Sequence, residues 1–180
     1  MKKEQKNKPT IIAITGPESC GKSTLTKQLG NRFKATTISE YAREYLEKTQ
    51  GKYTFEDLEK IARGQIELLS KAKLSNSEII IMDTELTVIK NWSEYKYHKI
   101  SPWIQTQYEN QKIDLYLLCN PDLPWEDDPL RESKNDRHEI FELYVKELEK
   151  LNRNYVVISG FGESRKQKAI DAVNKYLSIV

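Results

Sequence analysis

Short runs of aliphatic residues punctuate this chain, and longer stretches with helical spacing lie between them. Thr10-Ile-Ile-Ala-Ile14 is rich in β-branched residues and stops at Gly16, which reads as a buried strand entering a turn. From Lys22 to about Phe33 the apolar spacing becomes helical. A second short strand is expected near Ala35 to Ile38, followed by a helix from Glu40 to Lys48 with Tyr41, Tyr45 and Leu46 on one face. Thr54 is placed as an N-cap with Asp57 three residues on, opening a long amphipathic helix whose apolar positions run from Leu58 to Leu69. Ile79-Ile-Ile-Met82, Leu115-Tyr-Leu-Leu-Cys119 and Tyr155-Val-Val-Ile-Ser159 complete the strands. Helices fill the gaps, including Glu139 to Leu151 and about Glu163 to Leu177. Such alternation predicts an α/β fold of three layers, with about five parallel strands and right-handed crossovers.

With 180 residues, 38% of them hydrophobic, the chain is long enough for one core and short for two. We expect one domain over 10–180 behind a basic, flexible tail at 1–9. The tail has no apolar stretch that would make a signal peptide or membrane span, so a cytoplasmic protein without a membrane partner is expected. A net charge of +2 is far from the basic signature of a nucleic-acid binder, and none is expected as a partner. Cys20 and Cys119 stand in unlike contexts with no CxxC spacing, which favours reduced thiols over a disulfide or a structural zinc site.

The string Gly16-Pro-Glu-Ser-Cys-Gly-Lys-Ser23 fits G-x-x-x-x-G-K-[ST] at every fixed position, between a strand and a helix as its mechanics require. Gly16 and Gly21 let the backbone curl so that consecutive N–H groups point at phosphates, and the helix N-terminus adds partial positive charge. Glu18, Ser19, Cys20 and Thr24 complete the expected contacts to a nucleotide. Lys22 is expected on the β and γ phosphates, and the Ser23 hydroxyl on a magnesium ion, with ATP and Mg2+ as cofactors. Asp83, ending an aliphatic strand, occupies the position of the metal-side carboxylate that holds the ion directly or through water. It would equally serve as the cap of a helix starting at Thr84.

No Asn-Lys-x-Asp guanine-reading string occurs, and Asp83-Thr-Glu-Leu86 lacks the Gly of a GTPase switch. Motor and transporter ATPases usually carry a second domain, so a small-molecule kinase fits best. Phosphoryl transfer also needs a carboxylate for the acceptor hydroxyl, cations over the transferring group and a lid. Glu40 follows the second strand and is the candidate base. Arg43, one turn on, either contacts substrate or phosphate or forms a surface ion pair with Glu40. The lid is expected at about 122–137, where three prolines oppose regular structure and Arg131 and Arg137 are candidate catalytic cations. Trp125 within it either anchors the loop or stacks on a flat ligand. Trp92, Tyr95, Tyr97 and Trp103 form an aromatic stretch suited to helix packing or to a planar substrate.

The phosphate loop, SEYARE at Ser39–Glu44, IARGQ at Ile61–Gln65, IMDTEL at Ile81–Leu86 and PDLPWEDDPLRE at Pro121–Glu132 together resemble the ribosylnicotinamide kinase domain of NadR-type proteins. The resemblance spans Thr10 to the C-terminus, and its specificity rests on the SEYARE and PWEDDPLRE strings. It implies a nucleoside-kinase-like P-loop fold with a lid and transfer of the ATP γ-phosphate to the 5′-hydroxyl of nicotinamide riboside, giving nicotinamide mononucleotide and ADP. It also implies phosphate and metal roles for Lys22, Ser23 and Asp83, an acidic role for Glu40 and lid roles for Arg131 and Arg137. Asp122 and Trp125 would line the nucleoside pocket, together with Arg43 and Trp92. No adenylyltransferase or DNA-binding segment is visible beside it, so the reaction would stop at the mononucleotide. Two other readings remain: a kinase of another nucleoside or small hydroxyl compound, and a nucleotide-switched regulatory ATPase signalling through the lid.

Overall fold

A computed structural model describes residues 8–179, so most of the expected tail at 1–9 lies outside the described residues. Five strands form one sheet: β1 (Thr10–Thr15), β2 (Thr36–Ile38), β3 (Ile79–Asp83), β4 (Leu115–Cys119) and β5 (Tyr155–Ile158). All pairings are parallel and the order is β2-β3-β1-β4-β5. The connections carry α1 (Lys22–Phe33), α2 (Tyr41–Lys48), α3 (Phe55–Ala72), α4 (Leu86–Tyr97), α5 (Pro102–Asn110), α6 (Arg137–Lys150) and α7 (Gly162–Leu177).

Side chains alternate across the sheet and divide the core accordingly. Ile12, Ile14, Leu115, Leu117 and Cys119 pack with Leu25 and Leu29 of α1 and Ala169 and Val173 of α7. On the opposite face, Ile11, Ile80 and Met82 meet α3 through Leu68, Leu69 and Ala72, while Ala13, Tyr116 and Leu118 meet Tyr144 and Leu148 of α6. A further cluster joins α2, α3, α4 and α5 through Ala42, Leu58, Ile61, Leu86, Ile89 and Ile104. The helices on both faces make the expected three layers. The α3 capping box also forms, with the Thr54 N–H donating to Asp57 Oδ2 at 2.8 Å, so Asp serves where Glu or Gln is usual.

Several boundaries differ from expectation. The helix expected at Thr84 begins at Leu86, because Thr84 has a φ of 68° and turns the chain before the helix can start. The helix expected from Glu139 begins at Arg137. Helix α5 opens on Pro102, whose preset φ suits a first turn. Strand β5 lies at the sheet edge and leaves Val156 and Val157 half-exposed. Reversal of strand order on either side of β1 creates a crevice at the carboxyl ends of the strands, where the phosphate loop sits.

Candidate functional site

One cavity of about 670 Å³ is walled by the loop after β1, the start of α2, one face of α4 and the segment between β4 and α6. At its floor, Gly16 has a φ of 132°, and a Cβ there would lie 2.7 Å from the Cys119 carbonyl of β4. Only glycine lets the loop press onto that strand. Gly21, with a φ of 75°, leads into α1, whose first turn has no side-chain cap. Those N–H groups stay open toward an anion. The Lys22 ammonium folds back over the loop, donating to the carbonyls of Gly16 at 3.0 Å and Pro17 at 2.5 Å. Burial works to lower its pKa, but Cys20, Glu40, Asp83 and Cys119 outweigh it and the pKa rises.

Cys20 is buried within the loop and its thiol donates to the Pro17 carbonyl at 2.8 Å. Burial pushes that thiol up, yet the hydrogen bond with Cys119 and the cations Lys22, Arg165 and Arg137 bring it down to about 7. Both cysteines are free. Behind the loop Arg165, only 5% exposed, donates to the carbonyls of Cys20 at 2.8 Å and Asn120 at 3.0 Å, and to Asp122 Oδ1 at 2.7 Å.

Asp83 ends β3 beside the loop, in register with Ile14. It caps no helix: the α4 cap is Glu85, whose carboxylate accepts from the Thr87 N–H at 2.8 Å and from the Thr15 hydroxyl at 3.0 Å. Asp83 is 5% exposed, and its Oδ1 is buried with no hydrogen-bond partner among the described residues. Burial raises its pKa against the Ser23 hydroxyl and Lys22, which act to lower it. An orphaned carboxylate oxygen beside a hydroxyl at a phosphate loop fits Mg2+, which takes few protein oxygens and completes its shell with water and phosphate. The described residues hold no group of three or more His, Cys, Asp or Glu that would form an all-protein cage.

Glu40 immediately precedes α2 and lines the cavity, with burial and Asp83 raising its pKa against Lys22 and Arg43. Its height is set by α3. Gln65 Oε1 accepts the Tyr41 N–H at 2.8 Å, and Gly64 leaves room for the Tyr41 ring, which a Cβ at 64 would overlap. The IARGQ string is thus a mount for the residue after Glu40. Arg43 also lines the cavity, but its ion pairs are with Asp128 at 2.6 Å and Glu47 at 3.8 Å. Of the two readings of Arg43, the surface pair with Glu40 is absent from its ion pairs, and a tie to the lid stands in its place.

The lid segment has little regular structure, as its prolines require. Arg131 lines the cavity and donates to Ser19 Oγ at 3.3 Å. Arg137, at the first turn of α6, instead donates to the carbonyls of Ser19 at 3.2 Å and Leu123 at 2.9 Å. Trp125 lies off the cavity wall. Its ring sits below both guanidinium groups, 5.9 Å from Arg131 and 5.6 Å from Arg137, and its Nε1 donates to Asp127 at 2.9 Å. Asp122 is likewise off the wall, because Arg165 and the Gly160 N–H, 2.7 Å from Oδ2, take its carboxylate. Burial acts to raise the Asp122 pKa, but these contacts and Asn120 lower it. Trp125 and Asp122, expected on the nucleoside pocket, thus make their contacts with the lid arginines, Arg165 and Gly160, away from the cavity wall.

The wall opposite the phosphate loop is a stripe of α4: Val88, Asn91, Trp92, Tyr95 and Lys96, at helical spacing. Trp92 Nε1 donates to the Tyr53 hydroxyl at 3.0 Å, with the rings edge to face at 4.7 Å. Lys96 donates to that hydroxyl and to Glu132 of the lid at 2.8 Å, and Tyr53 donates to Glu132 at 3.0 Å. Asn91 is 4% exposed, and its Nδ2 is buried with no hydrogen-bond partner among the described residues. Trp103 packs under Arg63 in the helical cluster and Tyr97 packs on Phe55, so the aromatic stretch divides between cavity and core. Sequence reasoning missed Asn91, Lys96, Tyr53 and Glu132. The signal for Asn91 and Lys96 was their helical spacing with Trp92 on α4, and for Glu132 its place in the PDLPWEDDPLRE string; Tyr53 carried none.

Residues 11–165 match the family model described as AAA domain. The chain is 31% identical over 151 residues to the trifunctional NAD biosynthesis/regulator protein NadR of Escherichia coli strain K12, covering 81% of this chain. It spans 37% of that relative's length. Structures of a NadR protein with NR, and with NAD and AMP-PNP, superpose with TM-scores of 0.83 and 0.80 at 23% and 24% identity, covering 93% of this chain and 50% and 49% of theirs. Thymidylate kinase from Ehrlichia chaffeensis follows at 0.70 and 13% identity, over 92% of this chain and 99% of that one. The chain therefore belongs to the AAA-domain family, as a P-loop protein homologous to NadR over most of its own length.

Proposed function

We propose that this protein transfers the γ-phosphate of ATP to the 5′-hydroxyl of nicotinamide riboside. The observation that carries the reading is Glu40, a carboxyl held high by burial on the wall of the cavity that Lys22 and the open α1 N-terminus enter. A phosphate cradle alone serves any nucleotide user, whereas a carboxylate beside it supplies what an acceptor hydroxyl needs. Likeness to NadR, seen elsewhere with NR and with AMP-PNP, supports the choice of acceptor and donor.

In this reading the α1 N–H groups and Lys22 bind the triphosphate, and Arg131 bears on its outer face. Ser23 and Asp83 hold Mg2+, which when bound neutralises charge on the phosphate oxygens. The Glu40 carboxylate accepts the proton of the 5′-hydroxyl as that oxygen bonds to the γ-phosphorus and ADP departs. Trp92 offers an aromatic face to the nicotinamide ring, and the Lys96 charge beside it is offset by Glu132.

The test is incubation with magnesium-ATP and a panel of nucleosides, reading ADP release and product mass. Nicotinamide mononucleotide with equimolar ADP is the expected result. Consumption of a different nucleoside with none of nicotinamide riboside would overturn the acceptor, and ADP release without any acceptor would favour a regulatory ATPase.

A further inference from the structure

A carboxylate inside a phosphate loop is an electrostatic oddity, since it adds negative charge where phosphates must bind. Glu18 resolves it by facing the lid. One of its oxygens, Oε2, accepts two consecutive backbone N–H groups, those of Glu132 at 3.0 Å and Ser133 at 2.8 Å. The adjacent loop residue repeats the pattern: Ser19 Oγ accepts the Glu126 N–H at 2.9 Å and an Arg131 N–H at 3.3 Å. Ser19 holds a left-handed φ of 53°, which a serine adopts only where its surroundings require it.

We infer that Glu18 is a positioning residue that sets both ends of the site through the lid backbone at 132–133. Arg131, the residue before the clasp, reaches toward the phosphate loop. The Glu132 side chain, in the clasp itself, reaches the other way to Lys96 and to Tyr53, whose hydroxyl accepts the Trp92 N–H. Two N–H donors on one carboxylate are charge-assisted and fix the peptide plane between them. Disturbing Glu18 therefore moves the cation on the nucleotide side and the Glu132 contacts on the acceptor side together. This rests on the kinase reading for its kinetic consequences but not for its structural one.

The test uses the full chain with E18A, E18Q, E132A and the E18A/E132A double variant. Trypsin cleavage after Arg131 and Lys134 is followed with and without a non-hydrolysable ATP analogue, alongside kcat and both KM values. E18A is expected to speed lid cleavage about tenfold or more, the consequence of losing two hydrogen bonds to a charged acceptor. It should also raise the acceptor KM, with the double variant no worse than the poorer single one. E18Q, whose carbonyl still accepts both N–H groups, should fall between E18A and the parent. Lid cleavage at the parent rate in E18A, or an additive acceptor effect in the double variant, would overturn the inference. So would E18Q matching E18A in nucleotide affinity with the lid unaltered, because Glu18 would then act on the nucleotide directly. If no acceptor is phosphorylated the kinase reading fails, and lid cleavage still decides the role of Glu18.

Discussion

Arg165 Nη1 lies 2.7 Å from Asp122 Oδ1, and from that anchored position the same guanidinium holds the phosphate loop from behind through the Cys20 carbonyl. The pair is enclosed, with the side chains 6% and 24% exposed, and the second guanidinium nitrogen carries the Cys20 carbonyl. Arg165→Ala takes the guanidinium donor from Asp122 Oδ1 and from the carbonyls of Cys20, Asn120 and Gly160. The expected loss is about 3 kcal/mol of unfolding free energy, by analogy with broken buried pairs. Nucleotide affinity should fall with it. Urea unfolding monitored by Trp fluorescence checks the first, and calorimetric titration with an ATP analogue the second; unchanged values in both would place the loop's support elsewhere.

Glu40→Gln keeps the shape at the start of α2 and removes the proposed proton acceptor. Turnover should drop about a hundredfold or more with ATP binding nearly intact. Stability should move the other way. Because the folded pKa of Glu40 is raised, its contribution to stability is present below the ordinary value of 4.5 and lost as pH rises through the folded value. At neutral pH the Gln variant should therefore unfold at higher denaturant than the parent, and the gap should close in acid. A parental rate in this variant would move the base to Asp83.

The same raised carboxyls set a pH dependence. Glu40 and Asp83 both stand above their ordinary values, chiefly through burial. kcat/KM should begin to fall with acid at a pH above 4.5, since the base form is the active one. In Glu40→Gln the limb due to Glu40 disappears from the residual rate, which a pH-rate profile from 4.5 to 8 would reveal.

The regular elements were largely legible because each carries its own periodicity. Strands β1, β3 and β4 announce themselves as aliphatic runs, and α1 was placed at its observed ends. The phosphate loop was legible because its chemistry demands glycines at fixed places. What escaped depended on tertiary contacts between segments distant in sequence. Nothing near Tyr53 signals that Trp92, thirty-nine positions on, donates to its hydroxyl. Asp122 and Trp125 read as ligand contacts because they sit in a functional string, whereas their neighbours Arg165, Arg131 and Arg137 come from positions that the string does not signal together. Thr84 shows how a local backbone turn shifts the start of a helix by two residues.

Asn91 supplies an independent check on the acceptor side of the cavity. A buried amide without a partner lowers stability unless a ligand completes it. Asn91→Leu should leave the unfolding free energy unchanged or higher, while raising the acceptor KM about tenfold for one lost hydrogen bond of about 1.4 kcal/mol. The KM for ATP should stay put. An effect confined to ATP, or a large loss of stability, would show that Asn91 serves another purpose.

The close approach of Gly64 to Tyr41 means that the aim of Glu40 is adjustable from outside the cavity. A methyl group added at position 64 touches neither nucleotide nor acceptor, yet it must displace the ring next to Glu40 or tilt α2 as a whole. Position 64 is thus a lever on Glu40 operated from α3, while every residue that lines the cavity stays the same.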